Sequence, residues 1–175
     1  MRRTGDSGVE MGLGIDASPL DGSQLRIAVV VARWNAEVVE PLLAGALAEL
    51  RTCGVSDYGV HRVPGAFELP LAAKWLGESE SVDAIVALGA VVRGDTPHFE
   101  YVAGQCAQGI AQVALQTGRP VIFGVLTTNT LEQALLRANP AGENKGGEAV
   151  RAAIEMALLR KRLVNSGNAL TKDTP

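Results

Sequence analysis

One stretch of the chain concentrates residues able to do chemistry: Gly89-Ala90-Val91-Val92-Arg93-Gly94-Asp95-Thr96-Pro97-His98-Phe99-Glu100. Two glycines free the backbone, Thr96 brings a hydroxyl, and His98 is one of only two histidines in the chain. A loop of this kind can hold an anion on backbone N–H groups ahead of a helix and keep a proton shuttle beside it. Asp95 and Thr96 are the candidate anion cradle, provided the Asp95 carboxylate points away. The Gly-Asp-Thr run lacks the spacing and the lysine of a P-loop. A lone histidine at a helix start can equally be a surface residue without a role. Its place after a glycine-bearing loop and a buried strand is what makes it a catalytic candidate.

Three further groups could share a site with that loop. Trp34 and Asn35 follow an apolar run, so the indole can stack on a planar ring while the amide bonds its edge; a tryptophan covering the rim of the core has the same spacing. Pro64-Gly65-Ala66-Phe67-Glu68 turns sharply, exposing backbone that can read a polar edge and a carboxylate that can accept hydroxyl hydrogens. Glu68 also suits a helix N-terminus for the dipole alone. Arg137 and Lys145, eight residues apart around a polar, glycine-rich loop, pair a bidentate clamp with a point charge for a phosphate. The same two charges also suit a solvated helix end. There is no Gly-x-Gly-x-x-Gly, no nucleophile elbow and no ligand spacing for zinc or iron, so no metal and no cofactor are expected. These residues describe a phosphate-plus-planar-ring site with one histidine.

The elements that must position them alternate. Leu25 to Ala32 is β-branched and apolar on both faces, as a central parallel strand requires. A helix follows from Ala36 to Cys53, stopped by Gly54. Tyr58–Val63 reads as a second strand, broken by Pro64-Gly65, and Ala66–Leu76 as a helix. Val82–Leu88 is the third strand, which makes Gly89 onward a loop, and His98–Gln116 the third helix. Pro120–Leu126 is the fourth strand. Thr130 caps a short helix through Ala138, Asn139–Gly147 is a loop, and the last helix runs from Glu148 to Leu163. The expected fold is a three-layer α/β/α domain, flavodoxin-like, with a four-stranded parallel sheet in the order 2-1-3-4 and helices on both faces. In such sheets ligands sit at the carboxyl edge, where nearly all the candidate residues fall.

Composition sets the bounds. The 175 residues suit one domain, read as residues 25–163, with a flexible arm over 1–24 and a polar tail over 164–175. Apolar residues make up 47% of the chain and aromatics only 4%, so Ala, Val and Leu do most of the packing. A net charge of −3 gives no reason to expect nucleic acid or an anionic membrane as partner. Cys53 and Cys106 fit no metal or redox spacing and read as buried free thiols. No apolar run reaches the ~18 residues of a membrane span. Met1-Arg2-Arg3 is not followed by an apolar signal segment, so the expected location is cytoplasmic.

Several separate motifs occur in the order found in one family: Arg33-Trp34-Asn35, Pro64-Gly65-Ala66-Phe67-Glu68-Leu69-Pro70, Leu88 through Tyr101, Phe123-Gly124-Val125-Leu126-Thr127-Thr128, and Asn144-Lys145-Gly146. Over Leu25 to Leu163 the chain resembles the 6,7-dimethyl-8-ribityllumazine synthase family, transferases of the penultimate step of riboflavin biosynthesis. The resemblance implies condensation of 5-amino-6-(D-ribitylamino)uracil with 3,4-dihydroxy-2-butanone 4-phosphate, releasing phosphate and water. Carried over by position, Trp34 stacks on the pyrimidine with Asn35 close by. Ala66, Phe67 and Glu68 hold the ribityl chain, and the backbone of Ala90, Val91 and Val92 reads the uracil edge. Asp95, Thr96 and Arg137 hold the phosphate, His98 transfers the proton, and Phe123 and Lys145 line the site.

In the family the site lies between neighbouring subunits, so Phe123, Arg137 and Lys145 are expected from the next chain. Family members form pentamers, paired pentamers or hollow icosahedral shells. The short spacing from Arg137 to Lys145 favours a 60-mer, with a pentamer as the alternative. Riboflavin synthase is the implied downstream partner. Trp34 stands where many members carry Phe, and another stacking aromatic preserves the role. Residues 139, 140 and 147 vary a loosely constrained loop, and the arm has no counterpart. Two other classes stay open: a weakly catalytic family member that binds flavins or ribityl compounds, and an unrelated flavodoxin-like phosphate-binding or signalling domain. A receiver domain would want an acidic pair where Arg33-Trp34-Asn35 stands.

Overall fold

The structure, a computed structural model, describes residues 19–79 and 81–170. Residues 1–18 of the expected arm and 171–175 of the expected tail lie outside the described residues. Four strands form one parallel sheet in the order β2-β1-β3-β4. They are β1 (Arg26–Ala32), β2 (Asp57–Val63), β3 (Ala84–Val92) and β4 (Val121–Thr128). The crossovers carry α1 (Ala36–Thr52), a 3-10 turn over Ala66–Glu68 leading into α2 (Leu69–Glu78), and α3 (His98–Thr117). After β4 come α4 (Leu131–Ala138) and α5 (Lys145–Leu170).

The period-2 alternation of the central strands divides the core in two. Ile27, Val29 and Val31 of β1, with Val86, Leu88 and Ala90 of β3, pack under α1, α4 and α5. Ala28 and Val30, with Ile85, Ala87 and Val91, pack under α2 and α3. This is the expected three-layer arrangement. Both thiols are buried and free, and burial pushes that of Cys106 up to about 12.

Glycines allow two of the closest approaches. A Cβ at Gly146, on the first turn of α5, would lie 1.9 Å from the Leu42 carbonyl oxygen on α1. A Cβ at Gly45 of α1 would lie 2.2 Å from Asn144 Oδ1. The start of α5 therefore rests directly on the α1 backbone. At the amino edge, buried Asp83 accepts the Arg26 backbone N–H at 2.8 Å, and Lys161 of α5 lies 3.5 Å from the same oxygen.

Element boundaries differ from expectation in a way that bears on the site. β3 does not end at Leu88. It pairs with β4 as far as Val92↔Thr128, so Gly89–Val92 is strand and the loop is Arg93–Pro97. Gly89 permits close packing rather than a turn: a Cβ there would stand 3.2 Å from Leu69 Cδ1. β4 likewise runs two residues past Leu126. α5 starts at Lys145, because Asn144 supplies Oδ1 to Gly147 N–H at 3.2 Å, and it continues to Leu170. The last residues of the expected arm are anchored, with Gly22 N–H donating to the Cys53 carbonyl at 2.8 Å.

Candidate active site

Four chain segments meet at the carboxyl ends of β1, β2 and β3. Arg33 and Trp34 donate backbone N–H groups to the Val63 and Pro64 carbonyls, which locks the loop after β1 against the turn after β2. Trp34 is 73% exposed, with its ring edge above Gly65, and Phe67 on the neighbouring turn is 56% exposed. Large apolar rings left this open beside polar backbone suit a planar ligand better than a rim seal.

Asn35 takes left-handed backbone angles at the head of α1, and its Nδ2 donates to the Ala90 carbonyl at 2.8 Å. That amide joins the β1 loop to β3, which leaves less of it for a ligand's edge. Glu68 accepts the Gly65 N–H on Oε2 at 2.9 Å, the helix-start role open from the sequence. Its Oε1 has no partner among the described residues. Ala66 is buried and contributes backbone only.

The strand extension matters here. β1 pairs with β3 only as far as Val31↔Leu88. From Gly89 to Val92 the β1-facing edge of β3 has no strand partner, and Asn35 occupies only the Ala90 carbonyl. Ala90 and Val92 turn their backbone toward this open edge, whereas that of Val91 faces the β4 ladder, and the side chains of Ala90 and Val91 are buried.

Beyond Val92, with His98 exposed at the head of α3, the loop bearing Asp95 and Thr96 is exposed as well. It is tied down by Arg93. The Arg93 N–H donates to the Thr128 carbonyl at 2.9 Å, and Nε donates to Asn129 Oδ1 at 3.0 Å. One terminal nitrogen bonds Glu100 Oε1, and the guanidinium carbon sits 4.2 Å from the Phe99 ring centre. The Arg93 hydrogen bond holds the Glu100 carboxyl below its usual range.

The remaining candidates lie elsewhere. Phe123, Arg137 and Lys145 line a cleft of ≈ 240 Å³ beside β4, floored by Ala149 and Ala152 of α5. Phe123, 40% exposed, stands opposite Ala87, three residues below the level of Ala90. At ~3.3 Å per residue that is roughly 10 Å down the sheet. Arg137 folds back, NH1 donating to the Gln133 carbonyl at 3.2 Å, with Nε 4.0 Å from Glu143 Oε2. Lys145 Nζ donates to both oxygens of Glu148 at 3.0 and 2.9 Å and lies 4.0 Å from Glu143. Two cations thus meet two carboxylates.

One chain therefore presents two groups. Trp34, Asn35, Ala66–Glu68 and Ala90–Val92, with the loop bearing Asp95, Thr96 and His98, gather at the sheet's carboxyl end. Phe123, Arg137 and Lys145 gather beside β4, in a cleft that Trp34, Glu68, Thr96 and His98 do not line. Sequence reasoning missed Glu143, Glu148 and the anchoring role of Arg93. Glu148 was findable, three residues after Lys145 on a helix. Glu143 and Arg93 carry no periodic signal, since their partners come from loops.

A family model described as 6,7-dimethyl-8-ribityllumazine synthase matches residues 24–161.

Proposed function

The chain belongs to the 6,7-dimethyl-8-ribityllumazine synthase family, and from that premise we propose that it condenses 5-amino-6-(D-ribitylamino)uracil with 3,4-dihydroxy-2-butanone 4-phosphate. Membership supports a transferase of riboflavin biosynthesis; the specific reaction rests on the site. The observation that carries it is the exposed Trp34 indole next to the unpartnered edge of Gly89–Val92. A stacking face and backbone donors and acceptors suit a uracil, whose edge is polar and whose face is not.

In this reading Phe67 and the free oxygen of Glu68 hold the ribityl chain. Thr96 and the loop N–H groups hold the phosphate on one side, while Arg137 and Lys145 of the next subunit hold it on the other. The substrate amine attacks the ketone carbonyl, and water leaves as the imine forms. Phosphate then departs from the four-carbon unit, and ring closure expels a second water. Each step moves a proton, and His98 is placed to shuttle it. Holding the two reactants together can contribute about 7–11 kcal/mol by analogy with intramolecular reactions.

An assembly of several subunits, a 60-mer first and a pentamer second, would supply the second half of each site. The cytoplasm and a hand-over of product to riboflavin synthase complete the proposal. Among the described residues, no helix is long and apolar enough to cross a membrane.

The test is to mix the protein with both substrates and follow lumazine fluorescence together with phosphate release. Product with stoichiometric phosphate is expected. Binding of ribityl compounds without product at saturating substrate would replace this reading with the binding member of the family.

A further inference from the structure

Arg93 stands at the junction of three elements and does not line the cleft beside β4. Its guanidinium spans from Asn129, just ahead of α4, to Glu100 in the first turn of α3, and lies over Phe99. Its backbone N–H continues the β3–β4 ladder to Thr128. Beyond it, Gly94, Asp95 and Thr96 have no hydrogen bond of their own among the described residues. The loop expected to cradle the phosphate is thus fixed at its ends, by Pro97 at the head of α3 and by the backbone and side chain of Arg93 at its root.

Asn129 leads directly into the cap of α4. Thr130 Oγ1 accepts the Gln133 N–H at 3.3 Å, while Gln133 Oε1 accepts the Asn129 and Thr130 N–H groups at 3.0 and 3.4 Å. Arg137 sits one turn further along the same helix. One guanidinium thereby fixes the root of the Gly94–Thr96 loop between the turn ahead of α4 and the first turn of α3.

We propose that Arg93 is a positioning residue for the phosphate site, acting through the fork that joins Asn129 to Glu100 rather than by contact with substrate. This rests on the reaction proposed above. A planar fork with two separate acceptors is required, because a lysine ammonium reaches Glu100 or Asn129 but does not span both in one plane.

The experiment compares wild type with Arg93→Gln, Arg93→Lys and Asn129→Ala. It measures KM for each substrate, kcat, and the Kd of inorganic phosphate by calorimetry. Arg93→Gln is expected to raise the KM of the ketone phosphate and the phosphate Kd by about tenfold, as for losing a well-placed charged contact. The pyrimidine KM should stay within about twofold, since binding of the other substrate is not engaged. Arg93→Lys should recover only part of the loss. Asn129→Ala, which keeps every charge, should shift both phosphate measures in the same direction by less.

Parallel loss for both substrates would mark a general folding role and overturn the proposal, as would unchanged phosphate binding. Full recovery by Arg93→Lys would also overturn it, because charge alone would then suffice. If wild type binds inorganic phosphate and Arg93→Gln does not, yet neither makes product, the positioning role stands and the reaction assignment falls.

Discussion

At the carboxyl ends of β1, β2 and β3 the groups facing solvent are an indole, a phenyl ring and strand backbone without a strand partner. In the cleft beside β4 they are two cations held by two carboxylates. In the first region the rings and backbone need no counter-charge, and its charged groups include the Glu68 carboxylate, Asp95 and the Arg93–Glu100 pair. The second cannot leave Arg137 and Lys145 bare without repulsion, and Glu143 and Glu148 balance them. Those two carboxylates differ. Glu148 grips Lys145 with both oxygens, whereas Glu143 stands 4.0 Å from each cation and is the more loosely held partner. A single chain thus presents an exposed aromatic group and a charge-balanced cationic group, which the proposed reaction uses as a ring-binding half and an anion-binding half.

The sharpest way to break that division is to inactivate each half separately. Arg137→Ala is expected to raise the KM of the ketone phosphate by roughly 10–100-fold, through loss of charge-assisted hydrogen bonds. Trp34→Ala is expected to raise the KM of the pyrimidine by roughly 5–100-fold, in line with ~1–3 kcal/mol for base–aromatic stacking. Oligomers reassembled from equal amounts of the two variants should regain about a quarter of wild-type activity at limiting substrate, because that fraction of subunit pairs joins two intact halves. Verified co-assembly without recovery would place both halves of one site on the same chain.

His98 tests whether the ring-binding half also carries the chemistry. His98→Ala should keep the fold and both KM values, as circular dichroism and steady-state kinetics will report, while kcat falls by roughly 10²-fold or less. Unchanged turnover would remove His98 from the mechanism. The smallest effect concerns the charge balance beside β4. Glu143→Gln should tighten binding of inorganic phosphate by roughly two- to fivefold, since exposed ion pairs are worth ~0.2–1 kcal/mol. Calorimetry at fixed ionic strength reads this, and weaker binding would show that Glu143 orients Arg137 rather than competing for it.

The layer order was legible because β1 and β3 are apolar on both faces and each is followed by an amphipathic helix. The end of β3 was not. Gly89 reads as a breaker in one dimension, and only its distance to Leu69 and the register with β4 reveal it as strand. The exposure of Trp34, Phe67 and Thr96 was legible by type, since an aromatic or hydroxyl beside a turn has few structural duties. Asn35 and Glu68 were only half legible. Their hydrogen bonds to Ala90 and Gly65 are tertiary or capping contacts that no spacing fixes in advance. The Arg93 contacts were illegible for the same reason, as Asn129 is thirty-six positions away.

The contact between Gly146 and Leu42 changes how variants of this chain should be read. With 1.9 Å between a hypothetical Cβ and a carbonyl oxygen, even alanine at 146 must lift the first turn of α5 off α1. Lys145 would be carried with it. Such a substitution would look, in an activity screen, like damage to Lys145 itself, although the change lies in helix packing. In the run Asn144-Lys145-Gly146, chemistry and carpentry are spelled by adjacent letters, and purifying selection would register both as one signal.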